Sequence, residues 1–400
     1  MSNATRLLGG ILLVAGTTIG AGMLALPVMT AFAGFYPSIL LFSLCWLLML
    51  ATAFFFLDVN LAVKEGTNLV SMAQKTLGSF GKGISWIFYL LLLYSLNAAY
   101  ISGSAPLFND ALQHLSGHSL PSWLAPLCLP VLFGGFVYLG TIGVDYINRL
   151  LMLGLIVSYF LLAGSVPAHL EVSLLQHTDW NALLIAIPVV ITSFGYHIII
   201  PSLSIYLKHD AKQLRWTIVI GSAIPLLVYI LWQFLVIGTV PLDLLTEAWK
   251  NGDPSTKPLS SLLNQPLIKI GARFFSFFAI VTSFLGVSLG LSDFLRDGFK
   301  LKKNWKGRLI SCLLVFVPPL IFVYTYQRGF YIALQYAGAF VAVLLGLLPV
   351  AMAWKLNKSF YKHPWGKAVL IFIGLLCIGI IVVDILAEIG ALHVKFNRAS

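Results

Sequence analysis

The sequence predicts an all-α integral membrane protein of two inverted five-helix repeats and an eleventh helix, with the first and sixth helices broken at mid-span. Three observations carry this. Of the 400 residues, 59% are hydrophobic and 10% charged, and the mean hydropathy is +0.93, whereas a soluble domain carries roughly 25% charged residues. The apolar residues gather into eleven stretches separated by charges and polar turns. Glycine-containing breaks interrupt the first and sixth stretches at corresponding places, a pattern that points to a secondary transporter with its site near the bilayer midplane.

The first stretch, 7–32, has Gly16-Thr17-Thr18-Ile19-Gly20-Ala21-Gly22 at its centre. Unpaired backbone groups cost several kcal/mol each in hydrocarbon, so a span unwound over 16–22 must be buried in protein or line a cavity. The alternative is a helix contact packed through Gly16 and Gly20; the second break favours unwinding. No small-residue cleavage site follows this apolar run, so it is expected to be a retained span and not a signal peptide. Stretches 36–62, 83–112, 122–140 and 144–166 complete a first repeat at 1–166. The sixth, 182–207, carries the break Thr192-Ser193-Phe194-Gly195-Tyr196-His197 and opens a second repeat at 182–354, continued by 213–240, 266–298, 307–326 and 330–354. The stretch 366–388 supplies the eleventh helix. Each reaches or nearly reaches the roughly 20 residues that span a bilayer, and the longer ones tilt or project. Placing the breaks in register offsets the halves by about 175–185 residues, and the longest connections, 63–81 and 241–265, then follow the second helix of each half. An odd number of spans per half makes the repeats inverted.

The net charge of +11 is sorted by side rather than gathered into a nucleic-acid patch. With the N-terminus inside, 18 of the 25 Lys and Arg fall inside, leaving Lys250, Lys257, Lys269, Arg273, Arg328, Lys395 and Arg398 outside. The positive-inside rule then sets the N-terminus in the cytoplasm and the C-terminus out. Cys45, Cys128, Cys312 and Cys377 lie in apolar stretches without a CxxC and read as core residues. No Walker-type loop is present, which argues against ATP-driven transport within the chain. No nucleophile, paired carboxylate or His-rich metal constellation marks an enzyme. Neither cofactor nor metal is expected, and the expected partners are the lipid bilayer and a small solute, without nucleic acid or an obligate protein partner. A channel remains the alternative class, because a broken helix can also line a pore.

Specific strings then carry a resemblance. Val14-Ala15-Gly16-Thr17-Thr18-Ile19-Gly20-Ala21-Gly22-Met23-Leu24-Ala25-Leu26-Pro27 resembles the first-helix signature of the hydroxy and aromatic amino acid permeases, within the amino acid-polyamine-organocation superfamily. Asn97-Ala98-Ala99-Tyr100-Ile101-Ser102-Gly103, the 192–197 break, Leu214-Arg215-Trp216, Gly221-Ser222-Ala223-Ile224-Pro225-Leu226 and Thr282-Ser283-Phe284-Leu285-Gly286-Val287 resemble the tyrosine and tryptophan permeases. The likeness covers nearly the whole chain and is strongest to the tyrosine-specific branch. It implies a LeuT-type fold and proton-driven uptake of an aromatic amino acid, tyrosine foremost, across the bacterial inner membrane, with the C-terminus periplasmic. A tryptophan or broad aromatic permease, or a sodium-coupled or exchange carrier of the same fold, is the alternative.

On that reading the N–H groups of Gly20, Ala21 and Gly22 suit the substrate carboxylate, since a helix N-terminus attracts anions and missing side chains allow close approach. The hydroxyls of Thr17 and Thr18 add a donor or cap the break. Carbonyls around Ile191 and Thr192 suit the ammonium. Phe194 stands where an aromatic wall or gate belongs, Gly195 lets the backbone turn, and Tyr196 completes this side. On the third helix Tyr89, Leu93, Asn97, Tyr100 and Ser104 share a face; Asn97 needs a partner, either the substrate phenol or a neighbouring helix. Thr282 and Ser283 sit at mid-depth of the eighth helix, where the fold places a cation site, or they only back-bond to their own helix. His197 is either the proton carrier, with a reference pKa of about 6.5, or a neutral residue satisfying freed carbonyls. The fifth helix has no mid-span lysine to replace a cation, so His197 leads as proton acceptor and Asp58 follows. Asp145, Arg149, Asp293, Arg296 and Asp297 read as pairs at helix ends.

Overall fold

The two breaks split the first and sixth apolar stretches into pairs of helices. In the computed structural model, which describes residues 3–63, 68–302, 304–326, 328–356 and 358–388, α1 (Asn3–Thr18) and α2 (Gly22–Thr30) meet at 55°. The first break is therefore narrower than the expected 16–22. Gly16 stays helical and packs, with the space of a methyl group between it and Met152. The sixth stretch runs as α7 (Leu183–Ser193), leaves helical geometry at 194–196, makes one 3₁₀ turn (His197–Ile199) and resumes as α8 (Ile200–Tyr206). Thr192 and Ser193 are thus the last turn of α7, and His197 begins the next helical turn.

Between these lie α3 (Phe35–Val63), α4 (Leu69–Ser116), α5 (Cys128–Leu139) and α6 (Thr141–Ser165). The connection at 63–81 is partly helical: α4 begins at Leu69 and bends at Gly78, whose φ of 73° and ψ of −158° are open to glycine alone among common residues. After the second break come α9 (Ala211–Ile237), α10 (Leu242–Asn251), α11 (Thr256–Leu263), α12 (Pro266–Gly298), α13 (Trp305–Thr325) and α14 (Gly329–Val341). A π-helical turn over Ala342–Leu347 joins α14 to α15 (Leu348–Trp354), and α16 (Ser359–Lys362) leads into α17 (Pro364–Glu388). Among the described residues nine helices are long and apolar enough to cross a bilayer, and α1 with α2 makes a tenth. The shorter apolar unit Ala125–Leu139 occupies the place of the expected fourth span. Lys64, Lys303, Lys395 and Arg398 of the charge sorting lie outside the described residues.

Packing repeats between the halves. The fourth helix lies along α14 as α12 lies along α6, and α4 and α12 pack on each other. The broken spans touch through α2 and α7, backed by α9 and α3. Small residues permit this: a methyl on Gly221 would meet Val14, and Gly338 sits directly against Pro188. At one end α10 and α11 close over α2, where the Ser255 N–H donates to the Leu24 carbonyl at 3.0 Å and the Tyr331 hydroxyl donates to the Asp253 carbonyl. Arg328 stacks on Trp249, 4.3 Å from the ring centre, at the same end. Leucine, isoleucine, valine and phenylalanine side chains such as Leu12, Leu40, Val131, Leu153 and Phe372 are exposed around the outside, as the surface of a multi-pass membrane protein requires.

Candidate functional site

The first break ends α1 with carbonyl groups and starts α2 with N–H groups, and each set finds a hydroxyl. The Ala21 N–H donates to Ser283 Oγ on α12 at 3.0 Å. Met23 and Leu24 N–H turn back to the Gly20 and Ala21 carbonyls, 3.1 Å each, while Gly20 and Gly22 N–H join no backbone bond among the described residues. At both places a side chain would displace a neighbouring serine hydroxyl. A Cβ on Gly20 would lie 2.5 Å from Ser283 Oγ, and one on Gly22 would lie 2.8 Å from Ser193 Oγ. Of the three N–H groups expected to face a carboxylate, that of Ala21 meets the neutral Ser283 hydroxyl oxygen.

At the carbonyl end the organising residue is Tyr229, on α9, which sequence reasoning missed. Its hydroxyl donates to the Thr18 carbonyl at 2.6 Å and reaches the Ser193 carbonyl at 3.0 Å. One side chain thus joins the last carbonyls of both broken helices, each carrying the negative end of a helix dipole. The carbonyls expected to take the ammonium, Ile191 and Thr192, instead accept the Phe194 and Gly195 N–H groups at 3.1 Å each as the helix cap. The Thr17, Thr18 and Thr192 hydroxyls do not face the break's centre either: they donate back to Leu13, Val14 and Pro188 carbonyls at 2.7, 2.7 and 2.8 Å. A β-branched hydroxyl in a helix does this readily, which keeps it neutral in hydrocarbon.

Phe194 is fully buried and meets the Tyr229 ring edge-on, centroids 5.3 Å apart. Gly195 is backed by Leu345 and Val341 at the π-helical turn. From α4, the Tyr100 hydroxyl lies near Ser283. Asn97 is fully buried; its Oδ1 accepts from Ser288 Oγ at 2.6 Å and its Nδ2 has no partner. The neighbouring helix therefore takes half of the amide, leaving two N–H donors for another group. Tyr89 turns elsewhere, onto Phe294, and Ser104 bonds its own helix.

Two expected coupling residues sit apart from this cluster. His197 faces α3, not the centre of the break: its Nε2 is 2.9 Å from Thr52 Oγ1, with Phe56 and Tyr196 rings against it. Tyr196, fully buried, stacks on His197 and so belongs to that wall. Asp58 lies at a helix end, accepting from Tyr361 at 2.6 Å and paired with Lys358 at 2.9 Å and Arg215 at 3.3 Å. Thr282 back-bonds to Phe278 at 2.7 Å, so of the expected cation-site pair only Ser283 reaches the break. Asp145 and Arg149 form an exposed pair at 2.8 Å, as expected. The cluster of Ala21, Ser283, Tyr100, Tyr229, Thr18, Ser193 and Phe194 thus offers donors and acceptors beside an aromatic surface and no ionised side chain. It can hold a zwitterion, and it provides no group for covalent chemistry.

Over residues 3–386 the chain matches the tryptophan/tyrosine permease family. Similar proteins include Tyrosine-specific transport system 1 of Haemophilus influenzae, 35% identical over 402 residues that cover 98% of this chain and 99% of that one. The Tryptophan-specific transport protein of the same organism is 32% identical over 404 residues, 96% of each chain. Among solved structures, a mutant manganese transporter of Eremococcus coleocola superposes with a TM-score of 0.65 at 17% identity, covering 96% of this chain and 87% of that one. Mhp1, a nucleobase-cation-symport-1 family transporter with bromovinylhydantoin bound, gives 0.57 at 11% identity over 96% and 91%. At those identities the likeness speaks for the fold alone, the LeuT-type arrangement of broken first and sixth spans.

Proposed function

The chain belongs to the tryptophan/tyrosine permease family, a family of permeases and not of enzymes, and on that premise we propose that it imports aromatic amino acids, tyrosine foremost, by proton-coupled alternating access. The observation that carries the reading is the meeting of both breaks at Tyr229, with N–H and carbonyl ends and the Phe194 ring beside them. The carboxylate goes to the Gly20–Gly22 N–H groups, the ammonium to the Thr18 and Ser193 carbonyls, the ring toward Phe194, and the phenol to Asn97. The tyrosine-specific relative supports the substrate; the tryptophan-specific one makes a broader aromatic range the second reading.

The membrane is the bacterial inner membrane, with the N-terminus cytoplasmic and the C-terminus periplasmic. Two groupings support this orientation. Arg215 and Lys358, both on the side sorted as inside, meet at Asp58. Lys257, Lys269 and Arg273, all sorted as outside, line one cavity of about 420 Å³ with Asp110. His197 carries the proton, held beside Thr52 where a change of charge alters the α3 contact of the sixth span.

The test uses purified protein in vesicles. Radiolabelled tyrosine should show counterflow, accumulate when a pH gradient is imposed, and be competed by phenylalanine and tryptophan. Counterflow without pH-driven accumulation removes the proton from this reading; absence of counterflow removes the carrier.

A further inference from the structure

At the two breaks the Tyr229 hydroxyl donates to helix-end carbonyls and the Ser283 hydroxyl accepts from a helix-start N–H, the hydrogen-bond pattern that an ammonium and a carboxylate would make. We propose that Tyr229 is a positioning residue whose hydroxyl stands in for the substrate ammonium in the unloaded protein, as Ser283 stands in for the carboxylate. The inference deepens the reading of the break as an amino acid site and rests on it.

The argument starts from the helix ends. The last carbonyls of α1 and α7 both lack a partner in their own helices and both carry partial negative charge. Brought together in a buried site, they repel one another and cannot be hydrated. The Tyr229 hydroxyl bridges them, at 2.6 Å to Thr18 and 3.0 Å to Ser193. A phenol has a single proton. It serves the shorter contact, and the Ser193 carbonyl is left with the longer, shared one. An ammonium group carries three N–H donors and satisfies both oxygens outright. The opposite end repeats the design with reversed polarity: Ser283 Oγ accepts the Ala21 N–H at 3.0 Å where a carboxylate oxygen with full charge would do so more strongly. Tyr229 is 1% exposed and its ring is fixed against Phe194, so its hydroxyl is aimed at the carbonyls by packing and not by chance rotation. On this proposal one neutral donor, Tyr229, and one neutral acceptor, Ser283, hold the breaks together until the zwitterion outcompetes them. This allows the broken spans to close without cargo, which an importer needs for its return step.

Tyr229→Phe keeps the ring and removes the donor. Binding is measured on detergent-purified full-length protein with two probes, tyrosine and 3-(4-hydroxyphenyl)propionate, which lacks the amino group. Without the stand-in, the ammonium no longer competes with an internal donor. Tyrosine should then bind roughly 2- to 10-fold more tightly, the value of one ordinary hydrogen bond, while the propionate gains nothing. In vesicles the variant should lose net uptake by a larger factor than tyrosine exchange, because only net uptake requires the protein to reorient without cargo. Site-specific 3-fluorotyrosine at 229 preserves the fold and strengthens the donor, so it should weaken tyrosine binding and leave the propionate unchanged. Equal shifts for both probes, unchanged tyrosine affinity in both variants, or parallel loss of exchange and net uptake would each overturn the proposal. If the wild-type protein binds neither probe, the substrate reading itself falls and this inference with it.

Discussion

Replacing Gly20 by alanine places one methyl group where the structure leaves no room, and its consequence can be worked out. The added Cβ would lie 2.5 Å from Ser283 Oγ, well inside contact distance, whereas the next atom, Ser283 Cβ, is 3.8 Å away. The cheapest relief is rotation of Ser283, which breaks its 3.0 Å bond from the Ala21 N–H. A buried N–H left without an acceptor costs about 1–3 kcal/mol. Ser283→Ala removes the same acceptor and carries a similar loss. In that background the Gly20 methyl meets only a Cβ at ordinary contact distance, so the double variant should match Ser283→Ala to within about 0.5 kcal/mol. The coupling between the two positions is thus about 1–3 kcal/mol, nearly the whole of the single Gly20→Ala effect. Thermal unfolding of the four purified proteins in one detergent, followed by size-exclusion fluorescence, gives the ordering. Gly20→Ala with wild-type stability, or a double variant that loses the sum of the singles, would refute the close approach of α2 to Ser283.

Three further outcomes are expected. Asn97→Leu removes the free amide donors and the acceptor of Ser288, and should cost tyrosine about 1–3 kcal/mol relative to phenylalanine; competition uptake that leaves their ratio unchanged counts against a phenol contact. His197→Gln should preserve tyrosine counterflow and abolish pH-driven accumulation, and full accumulation removes His197 from the proton path. Asp58→Asn should keep accumulation while lowering thermal stability, since its carboxylate ties Arg215, Lys358 and Tyr361 together at a helix end; loss of accumulation with an intact fold brings Asp58 back as the proton acceptor.

Periodicity and charge suffice for everything that depends on the chain's exchange with its solvent. Eleven apolar stretches must become helices because hydrocarbon offers backbone groups no partner, and glycines at 20 and 22 must weaken a helix wherever they fall. The two breaks follow from that, near 19–21 and at 194–196, and the strings around them carry the resemblance that the family match bears out. Which hydroxyl turns where is a different matter. Thr17, Thr18, Thr192 and Thr282 have the same chemistry as Ser283, and only the placement of α12 beside the first break decides that Ser283 reaches the Ala21 N–H while the threonines bond their own helices. Tyr229 was hidden for the same reason. A tyrosine inside an apolar stretch reads as core, although its place one turn beyond Pro225, on the helix bearing Ser222 and Gln233, was a signal of a polar face. His197 was placed at the break by its number and turned away from it by the 3₁₀ turn, which aims it at Thr52. A span is a local decision between water and lipid; a site is a meeting of groups more than 200 residues apart, such as the Tyr229 hydroxyl and the Thr18 carbonyl, and only close packing of the helices fixes it.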